Sequence, residues 1–235
     1  MIFFIIALSS SNVFAAPTHV VSHGINSEEP TVTGITFNPD GTKMFIVGIG
    51  GDEVNEYSLS VGFDLSSTVT ALRLLDVSAQ DNAPQDVAFN SDGTVIFVIG
   101  KQNANIYSWS LSTAYNLSGV HKTNDLIATT AIGANPRALK FNPDGTKMFI
   151  IGRGSKDMNE FILSTAFDVS TASHETQLPF DDTDDEPNGF DFNNDGTMLY
   201  ITGSENESMY QFSLNVAFDL SEGVNLLRTV DLEAL

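Results

Sequence analysis

From residue 30 onward, short apolar runs alternate with Gly-, Asp- and Asn-rich breaks, and no stretch holds the 3.6-residue spacing of an amphipathic helix for long. The pattern repeats. The segment Phe37-Asn-Pro-Asp-Gly-Thr-Lys-Met-Phe-Ile46 returns unchanged as Phe141 to Ile150, and Phe89 to Thr94 and Phe192 to Thr197 open two further copies. The leading phenylalanines lie 52, 52 and 51 residues apart. Aromatics keep the same spacing at Tyr57, Trp109, Phe161 and Phe212, and again at Phe63, Tyr115, Phe167 and Phe218. Asp or Asn follows each of the second set, and a proline opens each copy at Pro30, Pro84, Pro136 and Pro187.

Each copy reads as four short strands. The first runs over 35–37, 87–89, 139–141 and 190–192. The turn after it has a mechanism: Asn, then a tolerant position held by Pro, Ser or Asn, then Asp and Gly, suits a type I turn closed by a left-handed residue. The second strand (43–48, 95–100 and equivalents) is a nearly continuous apolar run, which predicts burial on both faces. The third (54–59, 105–111, 158–163, 208–214) carries an aromatic, and a weaker fourth lies near 72–77, 126–130, 175–178 and 226–232.

Four strands per unit of about fifty residues, with inner strands buried on both faces, predict an all-β fold: a β-propeller of four four-stranded blades. The expected domain boundaries are 30–80, 81–132, 133–183 and 184–235 for the blades. Residues 18–24 read as an extra N-terminal outer strand, because Val20-Val21-Ser22 aligns with Leu75-Asp76-Val77. An orphan strand beside four complete blades suggests part of a larger ring, closed by missing blades or by a second chain of a homo-oligomer.

The Phe-Asn-Pro-Asp-Gly-Thr-Lys-Met-Phe hairpin, with the later Ser164-Thr-Ala-Phe-Asp-Val-Ser-Thr-Ala172, resembles tandem repeats of marine bacterial and phage proteins. More distantly it resembles the YVTN, TolB and lactonase-like propellers. The resemblance covers residues 30–235 and implies architecture far more than chemistry, since the shared residues are turn formers and core aromatics. Such propellers serve as adhesins, scaffolds, binding modules and occasionally enzymes.

Charge narrows the partners. Thirty acidic residues against ten basic ones give a net charge of −20, which repels nucleic-acid phosphate and anionic lipid. With no cysteine, disulfides, thiolate metal sites and cysteine nucleophiles are excluded. The apolar run Ile2–Leu8, a polar stretch and Val13-Phe14-Ala15 read as a signal peptide over residues 1–15, although no basic residue precedes the run. That predicts an exported protein, extracellular, at the cell surface or periplasmic. The run is too short to span a bilayer as a helix, and nothing else is apolar enough to do so.

Chemistry is harder to find. His19, His23, His121 and His174 do not follow the repeat, no Gly-x-Ser-x-Gly elbow exists, and Gly48-Ile-Gly-Gly51 leads into a strand rather than a helix. Asp181, Asp182, Asp184 and Asp185, within five carboxylates in six residues, form a solvated loop or a calcium site; no other cofactor is implied. Propeller geometry puts the near-constant Asn-x-Asp-Gly and Phe-Asp-Leu-Ser loops on one face and the loops that differ between copies on the other. Recognition is expected on the variable face. Gln85, Asp86, Arg137 and Asn188, just after the blade prolines, would ring its central opening.

The leading expectation is therefore a non-enzymatic binding or adhesion module for a glycan or protein. One alternative is a metal-dependent lactonase- or lyase-type enzyme with Asp86 and Asp191 in the channel, where Thr36, Ala88 and Lys140 hold the positions equivalent to Asp191. Another is a phage tail or fibre component, against which the signal sequence argues.

Overall fold

The computed structural model describes residues 24, 29–128, 135–180, 184 and 186–232, with the backbone alone for 124–128. Sixteen strands form four antiparallel sheets, each in simple sequence order. The first blade holds β1 (Val32–Phe37), β2 (Lys43–Gly48), β3 (Glu53–Leu59) and β4 (Val69–Asp76). The second holds β5 (Pro84–Phe89), β6 (Val95–Gly100), β7 (Asn105–Leu111) and β8 (Val120–Ala128). The third holds β9 (Pro136–Phe141), β10 (Lys147–Gly152), β11 (Asp157–Leu163) and β12 (Ala172–Pro179), and the fourth β13 (Pro187–Phe192), β14 (Met198–Gly203), β15 (Ser208–Leu214) and β16 (Val224–Asp231). The four-blade propeller arrangement is as the repeat predicts. The expected extra strand at 18–24 lies, except for Gly24, outside the described residues.

The hairpin chemistry works as the sequence implies. In the first blade the Gly41 N–H donates to the Asn38 carbonyl at 3.0 Å. The Asp40 carboxylate accepts from the Thr42 N–H (2.9 Å) and hydroxyl (2.6 Å), which holds its pKa below the usual carboxylate range. Gly41, Gly93, Gly145 and Gly196 sit at φ of 70°, 73°, 73° and 72°, where a side chain would be strained. A ring packs on each: Phe63, Tyr115, Phe167 and Phe218, themselves at positive φ, cover the four glycines. The Phe63 N–H also donates to the Gly41 carbonyl at 3.0 Å, so the first-to-second and third-to-fourth strand loops share one face.

The outer strands begin two to six residues earlier than expected. β4 and β16 are largely exposed along their length, so burial does not mark their ends with apolar residues.

Blades are joined face to face by one recurring aromatic contact. Phe89 packs on Phe45 of the preceding blade (centroids 4.7 Å), Phe141 on Phe97 (4.6 Å) and Phe192 on Phe149 (4.8 Å). Each then meets its own loop ring: Tyr115 at 5.0 Å, Phe167 at 5.4 Å and Phe218 at 5.1 Å. Such pairs add about 0.5–1.5 kcal/mol beyond area burial. Two boundaries also carry a charged latch. Lys43 pairs with buried Glu56 at 2.6 Å while Glu56 accepts the Leu117 N–H of the next blade at 2.9 Å. Lys147 pairs with Glu160 at 2.6 Å while Glu160 accepts the Leu220 N–H at 2.6 Å. Between the second and third blades Val95 and Ser108 hold the equivalent positions, and no latch forms.

Among the described residues, inner strands pack in the series β1–β5–β9–β13, and β13 makes no contact with β1 as extensive as those within the series. The four blades form an open arc around the central channel.

Candidate functional site

The channel is built by one device repeated four times. Each inner strand pairs with its neighbour through a β-bulge near its start, between Val32 and Gly34, Pro84 and Asp86, Pro136 and Ala138, and Pro187 and Gly189. A bulge adds one unpaired residue and re-aims it. The bulged residues are Thr33, Gln85, Arg137 and Asn188, so three of the four residues expected at the opening occupy one structural position. The bulged residue of the first blade is Thr33, which the proline spacing conceals: Val32 stands where the other blades have proline, and Pro30 lies two residues earlier.

The bulged residues stitch neighbouring blades together. The Thr33 hydroxyl donates to the Pro84 carbonyl at 2.9 Å. Gln85 is buried; its amide N–H donates to the Ala83 and Pro84 carbonyls, and its oxygen accepts the Arg137 Nη1 at 2.7 Å. Burial, with Arg153 nearby, lowers the Arg137 pKa, yet a guanidinium stays charged. Arg137, Asn188 and Asp86 line a cavity of about 270 Å³ toward the variable face, while Gln85 lies behind them.

One residue deeper, the equivalent positions are Gly34, Asp86, Ala138 and Gly189. Asp86 is the only carboxylate in this ring. One of its oxygens accepts the Val87 N–H and the other the Leu139 N–H of the third blade, both at 2.9 Å. Gly34 presses on it from the first blade: a Cβ there would lie 2.8 Å from Asp86 Oδ1 and 2.9 Å from its Cα. Enclosure desolvates the carboxyl and pushes its pKa up to about 6, against the opposing pull of the two N–H donors and Lys140.

The next ring holds Thr36, Ala88, Lys140 and Asp191. Lys140 Nζ pairs with Asp191 at 3.2 Å. Asp86, Lys140 and Asp191 line a second cavity, of about 320 Å³, toward the constant face, and Asp86 and Lys140 border both cavities. The channel waist therefore holds one carboxyl poised to titrate near neutrality and one ammonium. That pairing suits proton transfer beside a site that stabilises a developing negative charge.

Of the acidic cluster, Asp181, Asp182 and Asp185 lie outside the described residues. Asp184 is buried, and its carboxylate accepts the N–H groups of Glu186 (2.8 Å), Glu205 (3.4 Å) and Asn206 (3.2 Å) and the Tyr210 hydroxyl (3.2 Å). Glu29 and Asp81 gather backbone N–H groups at the same place in the first two blades. An oxygen set filled by donors fits a loop-capping role better than a cation. No cluster of three or more metal-ligating side chains occurs among the described residues. His174 hydrogen-bonds Asn159 at 2.9 Å on the outer strand, away from the channel.

Known proteins place the chain. The profile of the seven-bladed β-propeller lactonases matches residues 5–219. The chain belongs to this lactonase family. Among curated proteins no sequence relative matches. Solved structures similar to it include a Lactobacillus plantarum protein (17% identity, TM-score 0.60, covering 84% of this chain and 54% of that one). A candidate 6-phosphogluconolactonase from Bacteroides uniformis (15%, TM-score 0.60, 85% and 55%) is another. The periplasmic gluconolactonase of Pseudomonas aeruginosa (15%, TM-score 0.56, 85% and 54%) is a third. At these identities the likeness shows the fold, and the chain spans about half the length of the structures it matches. The family corrects the leading expectation of a non-enzymatic binding module: turn formers and core aromatics look alike in binders and enzymes, so the repeat could not separate them. No helix among the described residues is long and apolar enough to cross a membrane.

Proposed function

We propose that this lactonase-family chain hydrolyses a lactone in its central channel, with Asp86 as general base and acid and Lys140 facing the developing oxyanion. The observation that carries the reading is Asp86 itself: a carboxyl raised to about 6, fixed by the Val87 and Leu139 N–H groups beneath Gly34, at the waist of the channel beside Lys140. At neutral pH it is mostly ionised, yet basic enough to take a proton from water, the tuning a general base needs.

The steps balance. Water adds to the lactone carbonyl carbon as Asp86 takes one of its protons, and the carbonyl oxygen becomes an alkoxide against the Lys140 ammonium. The alkoxide reforms the carbonyl, the ring C–O bond breaks, and protonated Asp86 returns the proton to the departing oxygen. The product is an open-chain hydroxy acid, which ionises in solution. The ion pair with Asp191 aims Lys140. Export by residues 1–15, the expectation from the N-terminus, would place this activity outside the cytoplasm, as for the periplasmic gluconolactonase of similar fold.

Acid release from glucono-δ-lactone and smaller lactones, followed with a pH indicator, tests the reading. Asp86→Asn should lower kcat about 10²–10⁴-fold and Lys140→Met about 10²–10³-fold, with folding unchanged by circular dichroism. Hydrolysis that survives Asp86→Asn undiminished would overturn it.

A further inference from the structure

The cations around the channel differ in how their charge is answered. Lys140 is ion-paired with Asp191 at 3.2 Å, and Arg153 with Glu186. Arg137, from the bulge at the start of β9, has only the neutral Gln85, whose side-chain oxygen accepts from Nη1 at 2.7 Å. Its Nε is buried and finds no acceptor among the described residues. Burial and the Arg153 guanidinium both oppose its charge, and no carboxylate offsets them. Asp86 borders the same cavity of about 270 Å³, but its oxygens are turned to the Val87 and Leu139 N–H groups. A half-buried cation without a counterion is unfavourable, and thirty acidic residues in the chain supply none to it. Asn188 and Lys140 line that cavity too, so the unanswered charge borders the space of the proposed chemistry.

We infer that Arg137 forms a carboxylate subsite for the ring-opened hydroxy acid, so that the channel is inhibited by its own product. The inference rests on the hydrolytic reading of the same channel, which is where the acid arises. Opening a lactone ring creates a carboxylate beside Asp86 and Lys140. As Asp86 returns its proton to the departing oxygen it becomes negative again and repels that carboxylate. Lys140 answers only in part, because Asp191 already holds it. Arg137 is the other cation lining the cavity, and a guanidinium can take a carboxylate through more than one N–H. Gln85 fixes the end of its side chain, and the Asn188 amide borders the same space, where it suits a hydroxyl. The new carboxylate is therefore drawn from the waist toward the variable face. While it stays there, the acid's hydroxyl-bearing chain occupies the space beside Asp86 that the next lactone needs.

Titration calorimetry of the full chain with gluconate, glucitol and acetate tests this without turnover. Gluconate should bind. Glucitol has the hydroxyls without the carboxylate and acetate the carboxylate without the hydroxyls, so both should bind at least about tenfold more weakly. Arg137→Gln should weaken gluconate binding about 10–100-fold, through loss of a charge-assisted contact. Because Arg137 is half-buried, Asn188→Asp at a partly exposed position serves as a second variant: a carboxylate placed in the same cavity should answer Arg137 and displace gluconate. In hydrolysis of glucono-δ-lactone, added gluconate should inhibit competitively, and less so in Arg137→Gln. Glucitol or acetate binding as tightly as gluconate would overturn the inference, as would a gluconate affinity that neither substitution changes. The two proposals fail separately. Arg137-dependent gluconate binding in a chain that hydrolyses no lactone would sink the hydrolytic reading and leave the subsite, whereas hydrolysis indifferent to gluconate would leave that reading and sink the subsite.

Discussion

Gly34 and Gly189 occupy the same place in the first and fourth blades, yet adding one methyl group should affect them in opposite ways. At Gly34 the new Cβ would meet Asp86 Oδ1 at 2.8 Å and the Asp86 Cα and Gln85 carbonyl at 2.9 Å. Two of these atoms are backbone of the adjoining blade, so neither can swing aside as a flexible side chain would. Relief requires β5 to move away from β1, against the Thr33–Pro84 bond that ties them together. Overpacking of this kind costs about 1–3 kcal/mol. At Gly189 the nearest atom to an added Cβ is the Thr202 hydroxyl at 3.4 Å, ordinary contact. Gly189→Ala should be neutral or stabilising by roughly 0.4–1 kcal/mol, because it restricts the unfolded chain. The third blade already carries an alanine, Ala138, at this position. Urea unfolding monitored by the single tryptophan, Trp109, reads the difference. With m near 2–3 kcal/mol/M the Gly34→Ala midpoint should fall by about 0.3–1.5 M. Gly34→Ala should also lower lactonase activity, since Asp86 is the residue displaced. Equal midpoints for the two variants would refute the claim that blade contact at Gly34 encloses Asp86.

Further outcomes follow from the same packing. Asp184→Ala removes a buried acceptor from three N–H groups and the Tyr210 hydroxyl; it should cost about 2–4 kcal/mol by thermal unfolding, unchanged by millimolar calcium. Lys147→Met strips the counterion from buried Glu160, whose pKa burial already raises, and should cost about 3–5 kcal/mol at neutral pH. Because the raised carboxyl binds its proton more tightly in the folded state, that loss should shrink as pH falls and the acid is neutralised. The double change Lys147→Val with Glu160→Ser, which copies the second blade, should recover most of it.

The fold was legible because propeller blades are written in local chemistry. A left-handed glycine after Asp, an aromatic that covers it, and a doubly apolar second strand each leave a mark at a fixed spacing. The channel was half legible. Gln85, Arg137 and Asn188 are found from their place after the prolines, and the structure explains why: that place is a bulge in every blade. Thr33 escapes because the first blade's proline is displaced by two residues. The enclosure of Asp86 is invisible in sequence, since it depends on Gly34, fifty-two residues earlier, meeting it across a blade boundary. Lys140 could be aligned with Asp191, but only the ring's curvature brings the two within 3.2 Å. Of the four candidate aspartates in the acidic run only Asp184 is described, and the sequence does not tell a carboxylate that caps backbone N–H groups, as it does, from one that holds a cation.

The most direct test of the account is the pH dependence of kcat/KM for lactone hydrolysis, measured on the wild type and on Asp86→Asn. If the channel carboxyl is the base, the wild-type value rises with pH and levels off through a midpoint near 6, where Asp86 loses its proton. The residual rate of Asp86→Asn should lack that limb. A wild-type profile flat across pH 5–8, or the same limb in both proteins, would contradict it.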